Sequence, residues 1–413
     1  MPIKNSLSLE SNYTVGMGLR STNNSKLASE NKLDELSINT VFDLNVYEDA
    51  ARINYSISPR ILLVDYTKNT YEDRTYYGLE ADVNLIAIPS FFTWNINENL
   101  SVQDIVNTGS NVPTNKQQVS IFRTGPSISY NINSTNIILL DYVYARVKNE
   151  ITNTDNKRDY YSFIFNHGVS NITNLSLNYN NTSIQYDDSI ANENVKVEEL
   201  FIDFTGRKSH SDYSFAFGEN KVKRLSDSKT FNGDLIRISW DYKMNSTSSV
   251  FTSYRKEISD PINDINISNG LVLGGVRNTA NQTNSRVFDA ERLFLSFTKN
   301  SSNTLSVFSL YNDQQEYEIT TSNQDTYGSI FSMEYSLSSL VTITGYASRS
   351  ETTLNSSIEE VYDDTSLSFG TIFRFSKNID LIALYSNNNR NSTLTNNDYD
   401  ENVVLLSFVY SKG

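Results

Sequence analysis

The stretch that decides the fold is residues 235–242, LIRISWDY, in which apolar or aromatic side chains alternate with small, polar or charged ones. Residues 122–130 (FRTGPSISY) and 366–375 (SLSFGTIFRF) alternate in the same way, and about twenty such runs follow one another along the chain. Successive side chains of a β-strand point to opposite faces, so a period of two gives each strand one apolar and one polar face. The pattern predicts an all-β protein whose strands separate two different environments.

Composition decides between a soluble and a membrane-embedded arrangement of these strands. Hydrophobic residues make up only 38% of the 413 residues, a low share for a soluble core, yet aromatic residues reach 12%. A disordered chain lacks such aromatics, whereas a transmembrane barrel contacts lipid with its apolar face and keeps a polar interior. We therefore expect residues 1–413 to form one antiparallel transmembrane β-barrel in the bacterial outer membrane.

Short turns and longer polar loops alternate along the chain, which predicts about twenty strands, with roughly 16 to 18 as the alternatives. In barrels of this type the short turns lie on the periplasmic side and the longer loops outside the cell. The predicted short turns are centred near Pro59, Pro89, Asn133, Asn171, Lys208, Asn245, Ser301, Ser338 and Lys377.

Aromatic side chains lie next to many of the predicted short turns, where a strand would cross the membrane–water interface. Ordinary enrichment of aromatic residues in strands is the alternative explanation. Their constant position relative to the turns favours an aromatic girdle. The candidates are Trp94, Tyr130, Trp240, Tyr242, Tyr335, Phe375 and Tyr410.

Charged residues within the strands fall on the polar parity. A charge facing lipid at the bilayer midplane costs roughly 2–4 kcal/mol, whereas a charge facing an aqueous lumen costs little. We therefore expect these side chains to line the interior, either as a hydrated wall or as the groups that select the solute. The arginines among them would suit an anionic or hydroxyl-rich solute. The candidates are Glu80, Asp82, Arg123, Asp141, Asp203, Arg237, Asp241, Lys243, Arg292, Glu334 and Arg374.

Several function classes are disfavoured by composition. A net charge of −14 argues against nucleic-acid binding, and the absence of cysteine excludes thiolate metal sites. The chain has two histidines, His167 and His210, and no Gly-x-Ser-x-Gly pattern, so we expect no enzyme, cofactor or metal centre. The consecutive carboxylates at 187–188, 198–199, 359–360 and 363–364 are interpreted as solvated loop charges.

Targeting signals are not visible at the start of the sequence. Residues 1–7 contain no apolar segment of a signal peptide, although an outer-membrane protein requires one for export. We therefore expect the signal peptide to be absent from this chain. No apolar run reaches the length of about 18 residues that a membrane helix needs.

One region resembles a known family. Residues 89–94 (PSFFTW), Asp104, 111–118 (NVPTNKQQ) and 122–126 (FRTGP) follow an aromatic strand, an acidic residue, a Pro-x-Asn-x-Gln loop and a Thr-Gly-Pro strand. This order resembles the outer-membrane β-barrel porins associated with exopolysaccharide loci of the PEP-CTERM/exosortase type. The resemblance covers residues 55–147 and implies a barrel that lets a secreted polysaccharide out beside export and copolymerase proteins. It implies no catalytic residues.

The sequence therefore predicts an outer-membrane channel for a polysaccharide, with outer-membrane lipid as its surroundings. The alternatives are a general diffusion porin for small hydrophilic solutes and a soluble all-β surface adhesin. A barrel with about twenty strands encloses a wide lumen, which endangers the cell if it stays open. We therefore expect an inward-folded loop, residues 257–286, to narrow it.

Overall fold

The chain closes into a ring of twenty antiparallel strands. The computed structural model describes residues 10–105, 111–188, 194–259, 271–272, 275–276, 288–317, 323–355, 359–394 and 397–413. Each ring strand pairs with its neighbours in chain order, and the first strand pairs with the last. The predicted all-β barrel and its strand count are confirmed. The ring strands are β1 (Glu10–Thr22), β2 (Glu35–Asp49), β3 (Ile53–Tyr66), β4 (Arg74–Ile88), β5 (Phe92–Asp104), β6 (Lys116–Asn131), β7 (Asn136–Asn149), β8 (Asn156–Ser170), β9 (Thr173–Tyr186), β10 (Val195–Lys208), β11 (Ser211–Arg224), β12 (Thr230–Asn245), β13 (Ser248–Ser259), β16 (Phe288–Asn300), β17 (Thr304–Tyr317), β18 (Asn323–Ser336), β19 (Val341–Asn355), β20 (Glu360–Arg374), β21 (Ile379–Ser392) and β22 (Tyr399–Lys412).

Two further short strands, β14 (Leu271–Val272) and β15 (Gly275–Val276), pair with each other in the connection between β13 and β16. A 3₁₀ turn, Pro113–Asn115, precedes β6. The described part of the chain contains no helix with the length and apolar character needed to cross a membrane.

Short and long connections alternate around the ring. The turns that follow β2, β4 and every later alternate ring strand contain two to four residues, and the connections at the other end reach 28 residues. Eight of the nine predicted short turns lie at or beside an observed one. Because all short turns share one end, the barrel has a short-turn rim and a loop rim, as the sequence predicts.

The outer face of the barrel is apolar. Large hydrophobic side chains such as Met17, Leu200, Phe217 and Leu367 are more than half exposed. Lipid is the environment that suits such a surface, since soluble proteins rarely expose large continuous apolar areas. The alternative of a soluble adhesin is therefore wrong, and the chain is an outer-membrane type of barrel.

The prediction of a turn near Pro59 is wrong. Residues 58–60 lie inside β3, and the chain turns earlier, at residues 50–52. A strand tolerates proline where no partner needs its missing N–H group. The pairing of β2 with β3 is interrupted there, between the pairs Asp43↔Arg60 and Val46↔Ile57. Proline therefore marks a local gap in the ladder at this place, not a turn.

A second gap lies beside Pro126. The pairing of β6 with β7 stops at Thr124↔Tyr144 and resumes at Ser127↔Asp141. The two backbones are so close here that a Cβ atom on Gly125 would overlap the carbonyl oxygen of Tyr142. Glycine is therefore required by space at this position, whichever backbone conformation it adopts.

We predict that Gly125→Ala destabilises the folded barrel by about 1–3 kcal/mol, because the added methyl group has no room beside β7. The matched control is Gly345→Ala on β19, where an added Cβ meets no atom within 4 Å. Unfolding of both variants by urea in detergent micelles, followed by tryptophan fluorescence, measures the difference. Equal midpoints for the two variants would contradict the close approach of β6 and β7.

Candidate functional site: the inner wall of the barrel

The inner wall is formed by the strand faces opposite the exposed apolar side chains. On β12, Trp240 and Tyr242 are exposed on the outer parity, and Arg237 is half-buried on the other. Arg237 reaches over β11 to Glu199 on β10, with 3.0 Å between Nη2 and Oε1. The small side chain that it crosses is Ala216, its partner on β11. A contact between strands that are not neighbours identifies this face as the concave one.

All eleven predicted lumen residues occupy the parity opposite the exposed apolar side chains of their strands. Asp82, Lys243, Glu334 and Arg374 are exposed, and the other seven are half-buried. Their role in selecting a solute stays a prediction. They do not form one cluster. Their hydrogen bonds and ion pairs are mainly with residues that the sequence analysis did not assign to the lumen.

Two of the predicted residues are linked through an asparagine. Asn97 on β5 donates a hydrogen bond of 2.6 Å to the carboxylate of Asp82, and Arg123 donates one of 3.4 Å to the amide oxygen of Asn97. Elsewhere, Ser127 donates to Asp141, and Ser214 donates to Asp203 at 3.0 Å. Hydroxyl and amide groups thus hold the carboxylates in place.

A charged network of four residues is centred on Arg237. Its guanidinium contacts both Glu199 and Glu257, and Arg255 lies 3.2 Å from the Glu257 carboxylate. The ring of Phe201 lies 5.2 Å from the Arg237 guanidinium carbon, in a cation–π contact. The two carboxylates were not predicted as lumen residues, and the interpretation of Glu199 as a solvated loop charge is wrong. Both lie within strands, so strand parity was the signal that could have found them.

Other cations of the inner wall are also paired with carboxylates. The Arg390 guanidinium binds Asp364 with two hydrogen bonds, and Arg390 is only 8% exposed. The loop-charge interpretation of Asp364 is therefore also wrong. Because an ion pair leaves little net charge, the wall is polar and electrically compensated where these pairs lie. Further pairs on this wall are Arg20–Glu401, Arg60–Asp43, Arg292–Asp313 and Arg374–Asp380.

Ion pairs also tie the loop rim together. The side-chain hydrogen bond from Lys68 lowers the pKa of Asp34, which joins the loop after β1 to the loop after β3. In the same way the hydrogen bond from Arg146 lowers the pKa of Asp187, in the loop after β9. The first contact connects two neighbouring loops of the rim, and the second connects strand β7 to the loop after β9.

The connection between β13 and β16 reaches the opposite side of the barrel. Its short strand β14 contacts β3, which lies ten ring positions from β13 in a ring of twenty. The inward-facing Leu62 and Val64 of β3 are buried, in a cluster with Val41, Tyr76 and Val102. The predicted constriction loop, residues 257–286, begins too early, because residues 257–259 belong to β13; most of its other residues lie outside the described part of the chain. The described β14 nevertheless supports a segment that crosses the lumen or its mouth.

The girdle candidates all lie at the short-turn rim. Six of the seven are exposed, and Tyr410 is half-buried beside Tyr13, with 6.0 Å between the ring centroids. Trp94 donates its indole N–H to Thr124 at 2.8 Å, and Trp240 donates to Ser211 at 2.6 Å. The Trp240 and Tyr242 rings stack at 5.4 Å. Apolar rings with satisfied polar atoms suit a membrane interface, and the girdle role remains our prediction.

The two histidines lie away from the charged networks. His167 Nδ1 hydrogen-bonds to Asn136 at 2.8 Å, and His210 Nδ1 to Ser209 at 2.9 Å; both histidines are exposed. Among the described residues, no three acidic or histidine side chains come together in a way that would hold a metal ion.

Comparison with known proteins gives similarity at the level of the fold. No family model and no curated protein matches the sequence. A mutant of the ferric enterobactin receptor PfeA from Pseudomonas aeruginosa is similar with a TM-score of 0.52 and 9% identity, over 97% of this chain and 80% of that one. OpdQ from the same organism has a TM-score of 0.46 and 12% identity, over 98% and 100% of the two chains.

At such low identity the likeness shows the fold alone. Closure of the ring, an apolar exterior and a polar interior nevertheless define the class: a transmembrane β-barrel of the bacterial outer membrane.

We predict that tryptophan fluorescence locates the girdle without any substitution, because Trp94 and Trp240 are the only tryptophans of the chain. Lipids brominated close to the headgroup should quench the reconstituted barrel more strongly than lipids brominated near the chain ends. Trp94→Phe and Trp240→Phe separate the two contributions. Stronger quenching from the bilayer centre would contradict an interfacial girdle.

We predict that replacing residues 261–286 by a short Gly-Ser linker raises single-channel conductance in planar bilayers, because the segment that contacts β3 is removed. As a control, residues 225–229 are replaced by Gly and Ser at equal length, which should leave conductance unchanged. If the deletion and the parent conduct equally, the connection does not narrow the lumen.

Proposed function

We propose that the barrel is a passive channel through which neutral hydrophilic solutes cross the outer membrane. The observation that carries the proposal is the set of ion pairs on the inner wall, in which carboxylates hold arginines such as Arg237, Arg292 and Arg390. Hydroxyl and amide groups lie on the same wall and bind other carboxylates. A pore lined by unpaired charges of one sign would select ions of the other sign. A paired wall instead offers hydrogen bonds without a strong net field.

The inward connection between β13 and β16 limits the size of the solute. Because a ring of twenty strands is wider than the 16–18-stranded barrels that already leave an aqueous channel, a segment across it is the natural size filter. Swelling of liposomes that contain the barrel, in isotonic solutions of neutral sugars of increasing length, tests this function. Equal swelling of liposomes with and without the barrel would contradict a channel function.

A more specific candidate is passage of an extracellular polysaccharide. It is favoured by the resemblance of residues 55–147 and by the hydroxyl pairs of the inner wall, such as Ser368–Ser386 and Ser296–Ser309. Export and copolymerase proteins would then be its periplasmic partners. A strain that lacks the barrel should retain polymer in the periplasm, and normal surface polymer in that strain would exclude this candidate.

We predict that Arg237→Gln makes the channel more selective for cations, with roughly a twofold or larger rise in the ratio of cation to anion permeability. The substitution leaves Glu199 and Glu257 without their shared cation. The matched control is Arg349→Gln, which breaks an arginine–aspartate pair with Asp363 on the outer face. Reversal potentials in a potassium chloride gradient measure both. Identical shifts for the two variants would contradict the assignment of Arg237 to the ion pathway.

A further inference from the structure

A chain of hydrogen bonds runs along the inner wall from β8 to β12. Ser162 Oγ donates to Asn180 Oδ1 at 2.9 Å, and Asn180 Nδ2 donates to Glu199 Oε2 at 2.9 Å. Arg237 Nη2 completes the chain by donating to Glu199 Oε1 at 3.0 Å. Each side chain is thereby fixed in orientation, and the carboxylate is held from both sides.

The same series of hydrogen bonds, Ser–Asn–Glu–Arg, occurs a second time. Ser366 Oγ donates to Asn388 Oδ1 at 2.8 Å, Asn388 Nδ2 donates to Glu401 Oε2 at 3.1 Å, and Arg20 Nη2 donates to Glu401 Oε1 at 2.8 Å. The first three residues of this copy lie on β20, β21 and β22, which are ten ring positions from β8, β9 and β10. The two series of hydrogen bonds therefore lie on opposite walls of the barrel.

The hydrogen-bond series on β8–β12 borders a cavity of about 290 Å³. Its polar lining includes Tyr160 and Asn180 together with the Glu199–Arg237 pair, and its apolar lining includes Ile184. Ile184 is fully buried in a cluster with Tyr186, Val195 and Val222, so this part of the lining, the apolar floor of the cavity, is closely packed. A volume near 300 Å³ with a few oriented polar groups is the lower end of the range for small-molecule sites.

The polar lining offers both donors and acceptors within one cavity. Tyr160 can donate and accept, the Asn180 amide has both kinds of group, Glu199 accepts, and Arg237 donates. Neighbouring hydroxyl groups of a sugar ring also donate and accept, and the C–H face of the ring is apolar. A sugar ring therefore matches both the polar groups and the apolar floor.

Charge compensation selects against ionic ligands. Arg237 and Arg255 are matched by Glu199 and Glu257 within one bonded network. An anion would compete with the carboxylates for the guanidinium groups, and a cation would compete with the guanidinium groups for the carboxylates. A neutral ligand adds hydrogen bonds without breaking an ion pair.

We propose that the cavity beside Asn180 and Glu199 binds one ring of a neutral, hydroxyl-rich sugar as it passes along the inner wall. The site rests on the proposed channel function, since a sugar reaches it through the lumen. It deepens that function by giving the solute class a defined place of contact on β8–β12.

The test is equilibrium binding of maltotriose, a neutral trisaccharide, to the full chain in detergent micelles, measured by titration calorimetry and saturation-transfer NMR. Asn180→Ala should weaken binding about tenfold, because it removes hydrogen-bonding groups that face the sugar. Tyr160→Phe, which keeps the ring and removes only the hydroxyl group, should weaken binding by a smaller factor.

The matched control is Asn388→Ala, which breaks the same pair of hydrogen bonds on the opposite wall and should leave maltotriose binding unchanged. Heat-modifiable gel mobility verifies that each variant is folded. Unchanged binding in both Asn180→Ala and Tyr160→Phe, or equal weakening in the control, would overturn the site. Conductance of the same preparations separates the two proposals: a conducting barrel that binds no sugar refutes the site alone, and sugar binding without conductance refutes the channel.

Discussion

The constraint on which the structure depends is that hydrocarbon offers no hydrogen-bonding partner to a peptide group. A sheet with a free edge would expose a row of unpaired N–H and C=O groups to lipid, so the edge strands must meet. β1 and β22 meet along ten residue pairs, from Tyr13↔Lys412 to Thr22↔Val403. Once the ring is closed, lipid surrounds one face of every strand, and the period of two in the sequence follows.

The inner wall obeys a second electrostatic constraint. Many charges on the concave face are half-buried, and a charge taken from water costs free energy unless a partner compensates it. Ion pairs between strands supply that partner at Arg237 and at Arg390. The resulting surface resembles water in offering donors and acceptors, and it differs from water because those groups are fixed in position.

Strand parity explains how much of the molecule was predictable from sequence. Apolar alternation determines the fold class, the number of strands and the face on which each charge lies. It does not reveal which charges meet, because pairing depends on the register between strands and on side chains such as Ala216 that leave room for a crossing arginine. The consecutive carboxylates Glu198 and Glu199 show the limit: their adjacency suggested a loop, although in a strand they point to opposite faces.

Proline and long-range contacts were the other obstacles. Pro59 carries the signal of a turn, and only the interrupted pairing with β2 shows why a strand accepts it. The contact of β14 with β3 joins residues that are remote in sequence, and no local pattern encodes it.

The contact between β14 and β3 also has a mechanical consequence. Hydrogen bonds between neighbouring strands act around the circumference and resist opening of the ring, but they do little against flattening of a wide cylinder into an ellipse. A segment that is anchored on one wall and touches the opposite wall acts along a diameter. Lateral pressure in the membrane would load such a contact directly, and we expect it to resist flattening of the barrel along that diameter.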